Sequence, residues 1–377
     1  MKELLRSLTS EQDNRQENFW KFVDQNVRQL AADLAEKILE LQLQAQLQAA
    51  WNQRTATRCG YRNGYYNRWL TTPHGQLRIR VPRPRKGAVD TKVVFDRYQR
   101  RIADVERILR HAYLLGTSTR GLAGLAEQIF GGSISHQTIS QLMKWLDEKL
   151  VRWRQQPIKP VYPVVYIDGM HVDIVGGDRM VMLVMGQRQD GVKEVLGFCV
   201  SIGERCKPLL EDLRDRGLEN VQLFVSDESG PIRYAMQEVY PLVNWQSCTF
   251  HRLSRLRVTI GHRIYRDQMV QEAACVFRCE SLGAALDTAA AWRIRWKRTA
   301  PSAVEQFVHG IRNSLMFYEL PKRWWKRVHT NNHMERQIRT LRQRLRLMGC
   351  FHDESAVERA VFGQLLRWHK IKLTHNT

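Results

Sequence analysis

The sequence predicts an α/β fold: a strand-containing core interrupted by a helical block and preceded by helical, ribbon-like and helix-turn-helix regions. Three observations predict it. Short β-branched runs bounded by turn residues recur between Val164 and Asp227, and one helical pattern lies among them. An Arg- and Trp-rich helical stretch, about Leu253 to Trp325, then separates them from a last basic helix.

From the N-terminus, residues 1–57 are polar and Gln-rich, with helical periodicity around Phe22 to Leu30 and Leu34 to Leu47. Their apolar positions need a partner helix, which a second subunit would supply, so this region is expected to oligomerise. Residues 58–90 change character. Gly60, Gly64 and Gly75 punctuate short strand-like runs, and Leu77-Arg78-Ile79-Arg80-Val81 alternates apolar with basic, the pattern of a ribbon with one cationic face. Arg62, Arg78 and Arg80 are its candidate DNA contacts, and Pro82 to Gly87 reads as a linker. In residues 91–158, Thr119 to Phe130 forms one helix and Gly131-Gly132 a turn. Ser135 then caps a second helix through Ile139, Leu142, Met143 and Leu146. That is the sequence image of a helix-turn-helix, whose second helix enters the major groove and would present His136, Gln137, Ser140, Gln141 and Lys144. Helical hairpins without DNA contacts share the pattern.

Residues 159–251 carry the first part of the core. Val164-Val165-Tyr166-Ile167 reads as a buried strand, bounded by Pro163 and Gly169 and ending in Asp168. A buried carboxylate there is costly unless a cation pairs with it. Met180 to Met185 and Val195 to Val200 are further strands, and Leu209, Leu210 and Leu213 mark a helix ending at Gly217. The alternating run Val221 to Val225 then delivers Asp227 to the end of a strand, where parallel-type sheets gather ligands. Strand, strand, strand, helix, strand is the element order of the ribonuclease-H-like fold, used here as an analogy. Residues 252–326 would be an all-helical insertion and 327–377 the closing helices. Trp292 and Trp296 in the insertion read more readily as core than as surfaces for stacked bases.

Glu335 opens the last basic helix. Thr330, Asn331 and Asn332 are helix-entry residues, and Met334, Ile338, Leu341, Leu345 and Met348 form a buried stripe. Arg339, Arg342 and Arg346 follow Glu335 on the neighbouring stripe, with Arg336 beside it, a row of guanidiniums suited to phosphate oxygens. The alternative is a solvated basic face with an ordinary Glu335–Arg339 pair. Three convergent carboxylates suit hard Mg2+ or Mn2+ ions in a two-metal site for phosphoryl transfer.

Composition points the same way. Fifty-nine Lys and Arg against thirty-eight Asp and Glu give a net charge of +21, spread over several segments, which favours a polyanionic partner. No apolar run is long enough to span a membrane and no signal peptide is evident, so a cytoplasmic, nucleoid-associated protein without a membrane partner is expected. Seven cysteines without a compact framework fit reduced thiols. Neither Cys248-x2-His251 nor Cys275-x3-Cys279 matches a standard zinc finger.

Several blocks in order carry a family resemblance. Gly60-Tyr61-Arg62-Asn63-Gly64-Tyr65-Tyr66, Asp168-Gly169, Ser226-Asp227, Cys248-x2-His251, Thr330-Asn331-Asn332-His333-Met334-Glu335-Arg336 and Met348-Gly349-x-Phe351 resemble the Mutator-type transposases of bacterial insertion sequences. The resemblance spans about residues 58 to 365. It implies a DDE transposase with a ribonuclease-H-like core and an all-helical insertion. Such an enzyme acts on terminal inverted repeats and target DNA as a homo-oligomer, here expected to be a dimer, with Mg2+ or Mn2+. Asp168, Asp227 and Glu335 match the catalytic, metal-binding positions. Cys248 and His251 match a C-x2-H element that orients the site, and Asn332 is placed with them as a supporting residue. Ser229 stands where many relatives carry His, and His352 where Pro is usual. A non-catalytic regulator derived from a transposase, or a structure-specific nuclease of the same fold, are the alternatives.

Overall fold

The computed structural model describes residues 15–203, 205–261, 263–328 and 332–369. The chain divides into two compact units, with the boundary between Met143 and Lys144.

The N-terminal unit opens with one continuous helix, α1 (Arg15–Leu47), where two stretches were expected; no Gly or Pro interrupts it. Its apolar stripe finds a ribbon rather than a helix. Ala35, Leu39, Leu43 and Leu47 pack against Leu70, Leu77, Ile79 and Val81 of the antiparallel hairpin β1 (Arg62–Thr72) and β2 (Gly75–Pro84). The alternation in β2 is realised: Leu77, Ile79 and Val81 are buried while Arg78 and Arg80 are exposed. The expected linker is partly strand, with Pro82 opposite Tyr65 and Pro84 opposite Arg62. A two-stranded ribbon has open edges, so the missing N–H groups break no further ladder.

Helices α2 (Ala103–Leu114), α3 (Thr119–Phe130) and α4 (His136–Met143) complete this unit. Gly131 closes α3 in the left-handed conformation (φ 64°), and the Ser135 hydroxyl accepts from the Thr138 N–H at 3.2 Å to start α4. Gly132 lies against the hairpin: a Cβ there would sit 2.0 Å from Gln76 Nε2. The α3-turn-α4 hairpin expected as a helix-turn-helix therefore packs with the ribbon. The second helix is shorter than expected. It stops at Met143, Lys144 flanks the next helix, α5 (Trp145–Arg154), and Leu146 belongs to α5.

The second unit is built on a five-stranded mixed sheet. Its strands are β3 (Val164–Ile174), β4 (Gly177–Gln187), β5 (Lys193–Ser201), β6 (Leu223–Ser226) and β7 (Asn244–Ser247), in the order β5-β4-β3-β6-β7. The first three are antiparallel, and β6 and β7 run parallel to β3. Helices α6 (Lys207–Asp215) and α7 (Gly230–Val239) cover one face through Leu209, Leu210, Leu213, Ile232, Met236 and Val239.

Three local expectations change. β3 does not stop at Gly169 but continues to Ile174. Gly169 serves close packing, since a Cβ would meet the sulfurs of Met180 and Met182 at 2.9 Å. β6 is buried on both faces rather than alternating, as a parallel strand flanked by neighbours must be. Helix α7 and strand β7 were not anticipated.

A helical block follows: α8 (Thr249–Thr259), α9 (Arg263–Cys275), α10 (Leu282–Trp296), α11 (Pro301–Val308) and α12 (Lys322–Val328). Trp292 and Trp296 are core here. The Trp292 indole N–H donates to Met269 O at 3.0 Å, and that of Trp296 to Glu272 Oε2 at 2.8 Å. Helices α13 (Asn332–Met348) and α14 (Glu354–His369) close the chain. No helix of the described residues is long and apolar enough to cross a membrane.

Candidate active site

The sheet register places the first two acids. Tyr166 of β3 pairs with Val225 of β6 in a parallel ladder, so Asp168 and Asp227 each lie two residues beyond the same rung. Ser226 of β6 pairs in turn with Ser247 of β7, so Asp227 and Cys248 each follow that rung. Neighbouring strands are about 4.8 Å apart. Asp168, midway along β3, thus lies beside the ends of β6 and β7, which are followed by Asp227 and Cys248. The Cys248 N–H donates to Ser226 O at 2.6 Å and holds the β7 exit in place.

The third acid arrives on α13. Met334 and Ile338 are buried, Glu335 is turned half-inward, and the helix packs against β3. Beyond α13 the chain returns to the far end of β3: the Val175 N–H donates to Phe351 O at 2.8 Å, and the Phe351 N–H to Asp173 O at 3.2 Å. The Gly349-x-Phe351 block is thereby a tether for the helix that carries Glu335. Thr330 and Asn331 lie outside the described residues, as does the side chain of Asn332.

The electrostatics are those of a site short of positive charge. Burial raises the pKa of Asp168, and the Asp227 carboxylate raises it further. His251, the Gly169 N–H (2.8 Å to Oδ1) and Arg342 oppose the rise. Glu335 is pushed up to about 7 by burial and by Asp168, against Arg339. Asp168 is therefore the centre of repulsion among the acids. Glu335 Oε1 and His251 Nδ1 are buried without a hydrogen-bond partner among the described residues. His251 Nε2 lies 3.8 Å from Glu335 Oε1. Cys248, His251 and Glu335 bring ligand-type atoms within 4.8 Å of one another, a grouping able to hold a metal ion. The Cys248 thiol is itself pushed up to about 12, chiefly by burial.

An open cleft of about 430 Å³ reaches this edge, lined by Asp227, Ser229, His251, Ser254 and Arg255 among others. Ser229, one of the two residues expected to depart from the family pattern, caps α7, its hydroxyl accepting from the Ile232 N–H at 3.5 Å.

A sequence profile described as Transposase, Mutator family, matches residues 2–370. The chain belongs to this family. It is 29% identical over 314 residues to the transposase for insertion sequence element ISRM5 of Rhizobium meliloti (strain 1021), covering 81% of this chain and 78% of that one. It is 25% identical over 300 residues to the transposase for insertion sequence element IS905 of Lactococcus lactis subsp. lactis (strain IL1403), covering 78% and 76%.

The remaining expected site residues of this transposase are distributed as follows. On α13, Arg336, Arg339, Arg342 and Arg346 are all exposed, and Met348 is half-buried where the expected stripe would bury it. On α4, His136, Gln137 and Gln141 are exposed and Ser140 is half-buried; Lys144 is exposed beyond its end. On the ribbon, Arg78 is exposed. Arg80 is also exposed but pairs with Glu36 of α1 at 2.9 Å. Arg62 departs most from expectation: its side chain is 12% exposed, ion-paired with Glu40 and stacked 5.3 Å from the Trp51 ring. The acids on α1 that neutralise these two arginines could not be paired with them from sequence alone.

One structural residue beside the site escaped the sequence reading. Arg252, buried on α8, donates to Phe307 O (2.7 Å), His309 O (2.8 Å) and Ser314 Oγ (2.7 Å), and pairs with Glu228, the neighbour of Asp227. Its only sequence signal was its place one residue after His251.

Proposed function

We infer that this transposase is a DDE enzyme that binds the terminal inverted repeats of its element and performs metal-dependent cleavage and strand transfer on DNA. The observation that carries the reading is that Asp168, midway along β3, lies beside the end of β6 that leads into Asp227, with Glu335 in electrostatic reach of Asp168. The strand order, three antiparallel strands followed by two parallel ones, supports a ribonuclease-H-like core, and α8 to α12 its helical insertion. The domain limits expected from sequence, with 1–57 for assembly, the ribbon of 58–90 and the helix-turn-helix region of 91–158 for DNA, belong to the same proposal. So do a homodimer that pairs two ends and a cytoplasmic place of work on the nucleoid.

The residues fit a hard divalent cation. Carboxylate oxygens that repel one another, one of them buried without a donor, are stabilised by such an ion and by little else. Asp168, Asp227 and Glu335 would hold Mg2+ or Mn2+, which when bound supplies charge stabilisation at the phosphoryl group and an acidified water. The Gly169 N–H fixes Asp168 Oδ1, and His251 stands beside Glu335. Arg339 and Arg342 offer exposed guanidiniums to phosphate oxygens on the same helix as Glu335. The reaction class is in-line displacement, first by water and then by the freed 3′-hydroxyl, without a covalent protein–DNA intermediate.

The test incubates the full chain with labelled DNA carrying its element's ends and Mg2+ or Mn2+. Cleaved and joined products are expected from wild type and not from Asp227→Asn or Glu335→Gln, with binding retained. Cleavage surviving both substitutions would refute the acid triad, and binding without cleavage in wild type would favour the regulator.

A further inference from the structure

A cleft of about 950 Å³ runs through the N-terminal unit between β1, the 95–101 loop and the start of α4. Its walls include Trp69, Arg97, Tyr98, Arg100, Ser135 and Thr138. Trp69 is 55% exposed and Tyr98 79% exposed. Arg97 and Arg100 are exposed and form no ion pair among the described residues, in contrast to Arg62 and Arg80.

Tyr98 is the more unusual of the two aromatics. Its φ is +70°, a left-handed conformation that a bulky side chain adopts only under constraint. The loop supplies the constraint. Arg68 donates to the carbonyls of Asp96 (3.0 Å) and Gln99 (2.7 Å) and lies 4.0 Å over the Phe95 ring. The Thr71 N–H donates to Arg100 O at 2.9 Å, and the Ile102 N–H to Thr71 O at 3.1 Å. A splinted loop thus holds a strained, solvent-facing ring beside the first turn of α4. The ring carries the Arg97 guanidinium 5.1 Å from its centroid but is not buried, and strain retained at a position that gains so little from packing marks a functional one.

We propose that this cleft is a second DNA contact next to the helix-turn-helix, with Tyr98 and Trp69 set against sugars or bases and Arg97 and Arg100 on phosphates. It rests on the reading of this unit as DNA-binding. The cleft adjoins the α4 N-terminus, so it engages the duplex flanking the base pairs that α4 meets.

The full chain is titrated by fluorescence anisotropy with labelled duplex from its element's end, over a range of salt. Tyr98→Gly relieves the left-handed strain, so its melting temperature stays level or rises, while affinity falls roughly tenfold from lost stacking. Tyr98→Phe keeps the ring and binds as wild type. Arg97→Ala combined with Arg100→Ala flattens the log–log salt slope by about two. Tyr98→Gly binding as wild type, or an unchanged slope in the double variant, overturns the cleft alone. If wild type binds no duplex, the DNA-binding reading falls with it.

Discussion

The acid-bearing side of the sheet, where β6 and β7 end beside β3, and the α1-ribbon face handle charge in opposite ways. On the acid-bearing side, buried Asp168 and half-buried Glu335 have too little positive charge to balance them, and Glu335 Oε1 has no hydrogen-bond donor among the described residues, with His251 Nε2 3.8 Å away. On the ribbon, cations are in excess, yet Arg62 and Arg80 are answered by Glu40 and Glu36 from α1. The difference separates chemistry from architecture. Uncompensated charge is costly and persists where a ligand completes it, whereas compensated charge holds elements together. Arg78 and Arg83 of the ribbon, with Arg97 and Arg100 of the neighbouring loop, are exposed and form no ion pair among the described residues, and are then available to phosphate.

The largest effect that would break this contrast concerns the acids. Asp168→Asn is expected to reduce cleavage by roughly a thousandfold or more while leaving DNA affinity intact, as measured by product formation and anisotropy on the same preparation. A proportional loss of both would mean that Asp168 is structural. Next comes the clamp. Arg252→Ala leaves the Phe307 and His309 carbonyls and Ser314 Oγ without this donor, while Glu228 keeps Arg255 and the Ser247 hydroxyl, so a loss of about 3–5 kcal/mol in unfolding free energy, about 1–3 for each stranded acceptor, is expected from chemical denaturation. Arg252→Lys restores little, because one ammonium cannot reproduce the fork of guanidinium donors.

Glu335 adds a smaller, pH-dependent effect. Its folded value, about 7, is raised above the ordinary 4.5, so the folded chain holds a proton that the unfolded chain has lost. Its contribution to stability is therefore fullest below about 4.5 and falls as pH rises through about 7, the reverse of an ion-paired carboxylate. Without divalent cations, Glu335→Gln should flatten that part of the stability profile. In the same window, Mg2+ binding should release a proton, seen as a buffer-dependent binding enthalpy in calorimetry. Its absence at pH 6 would place the ion away from Glu335.

The legible parts of this molecule were those with local periodicity. The β-branched runs of β3 and β4, the α3-turn-α4 hairpin and the apolar stripe of α13 are each written in neighbouring residues. Asp168 and Asp227 were readable because each follows such a run. What escaped depends on pairing across the chain. Strand β7 is only Asn-Trp-Gln-Ser and takes its identity from lying beside β6. Helix α7 did carry a signal, Ser229-Gly230-Pro231 before Ile232, Ala235, Met236 and Val239, that cap reading could have found. Gly169 looked like a strand end because glycine often is one; its real neighbours are two methionine sulfurs on the next strand. Arg62 and Arg80 were legible as a basic ribbon, but their partners are supplied by a helix whose docking no local pattern announces.

That last pairing supplies the smallest and sharpest test. Glu36 takes Arg80 by both its guanidinium and its backbone N–H, the latter at 2.9 Å to Oε1. Glu36→Gln keeps the shape and a hydrogen-bond acceptor while removing the charge, so the hairpin should stay docked on Leu39 and Leu43. If neutralisation by α1 is what withholds Arg80 from DNA, the variant should bind duplex a few-fold more tightly at moderate salt, with a log–log salt slope steeper by about 0.9, one added phosphate contact. An unchanged slope would mean that Arg80 faces away from the duplex and that Glu36 serves only the helix–ribbon joint. Repeating the measurement on Arg97→Ala with Arg100→Ala would then show whether phosphate contact is concentrated on the Tyr98 loop.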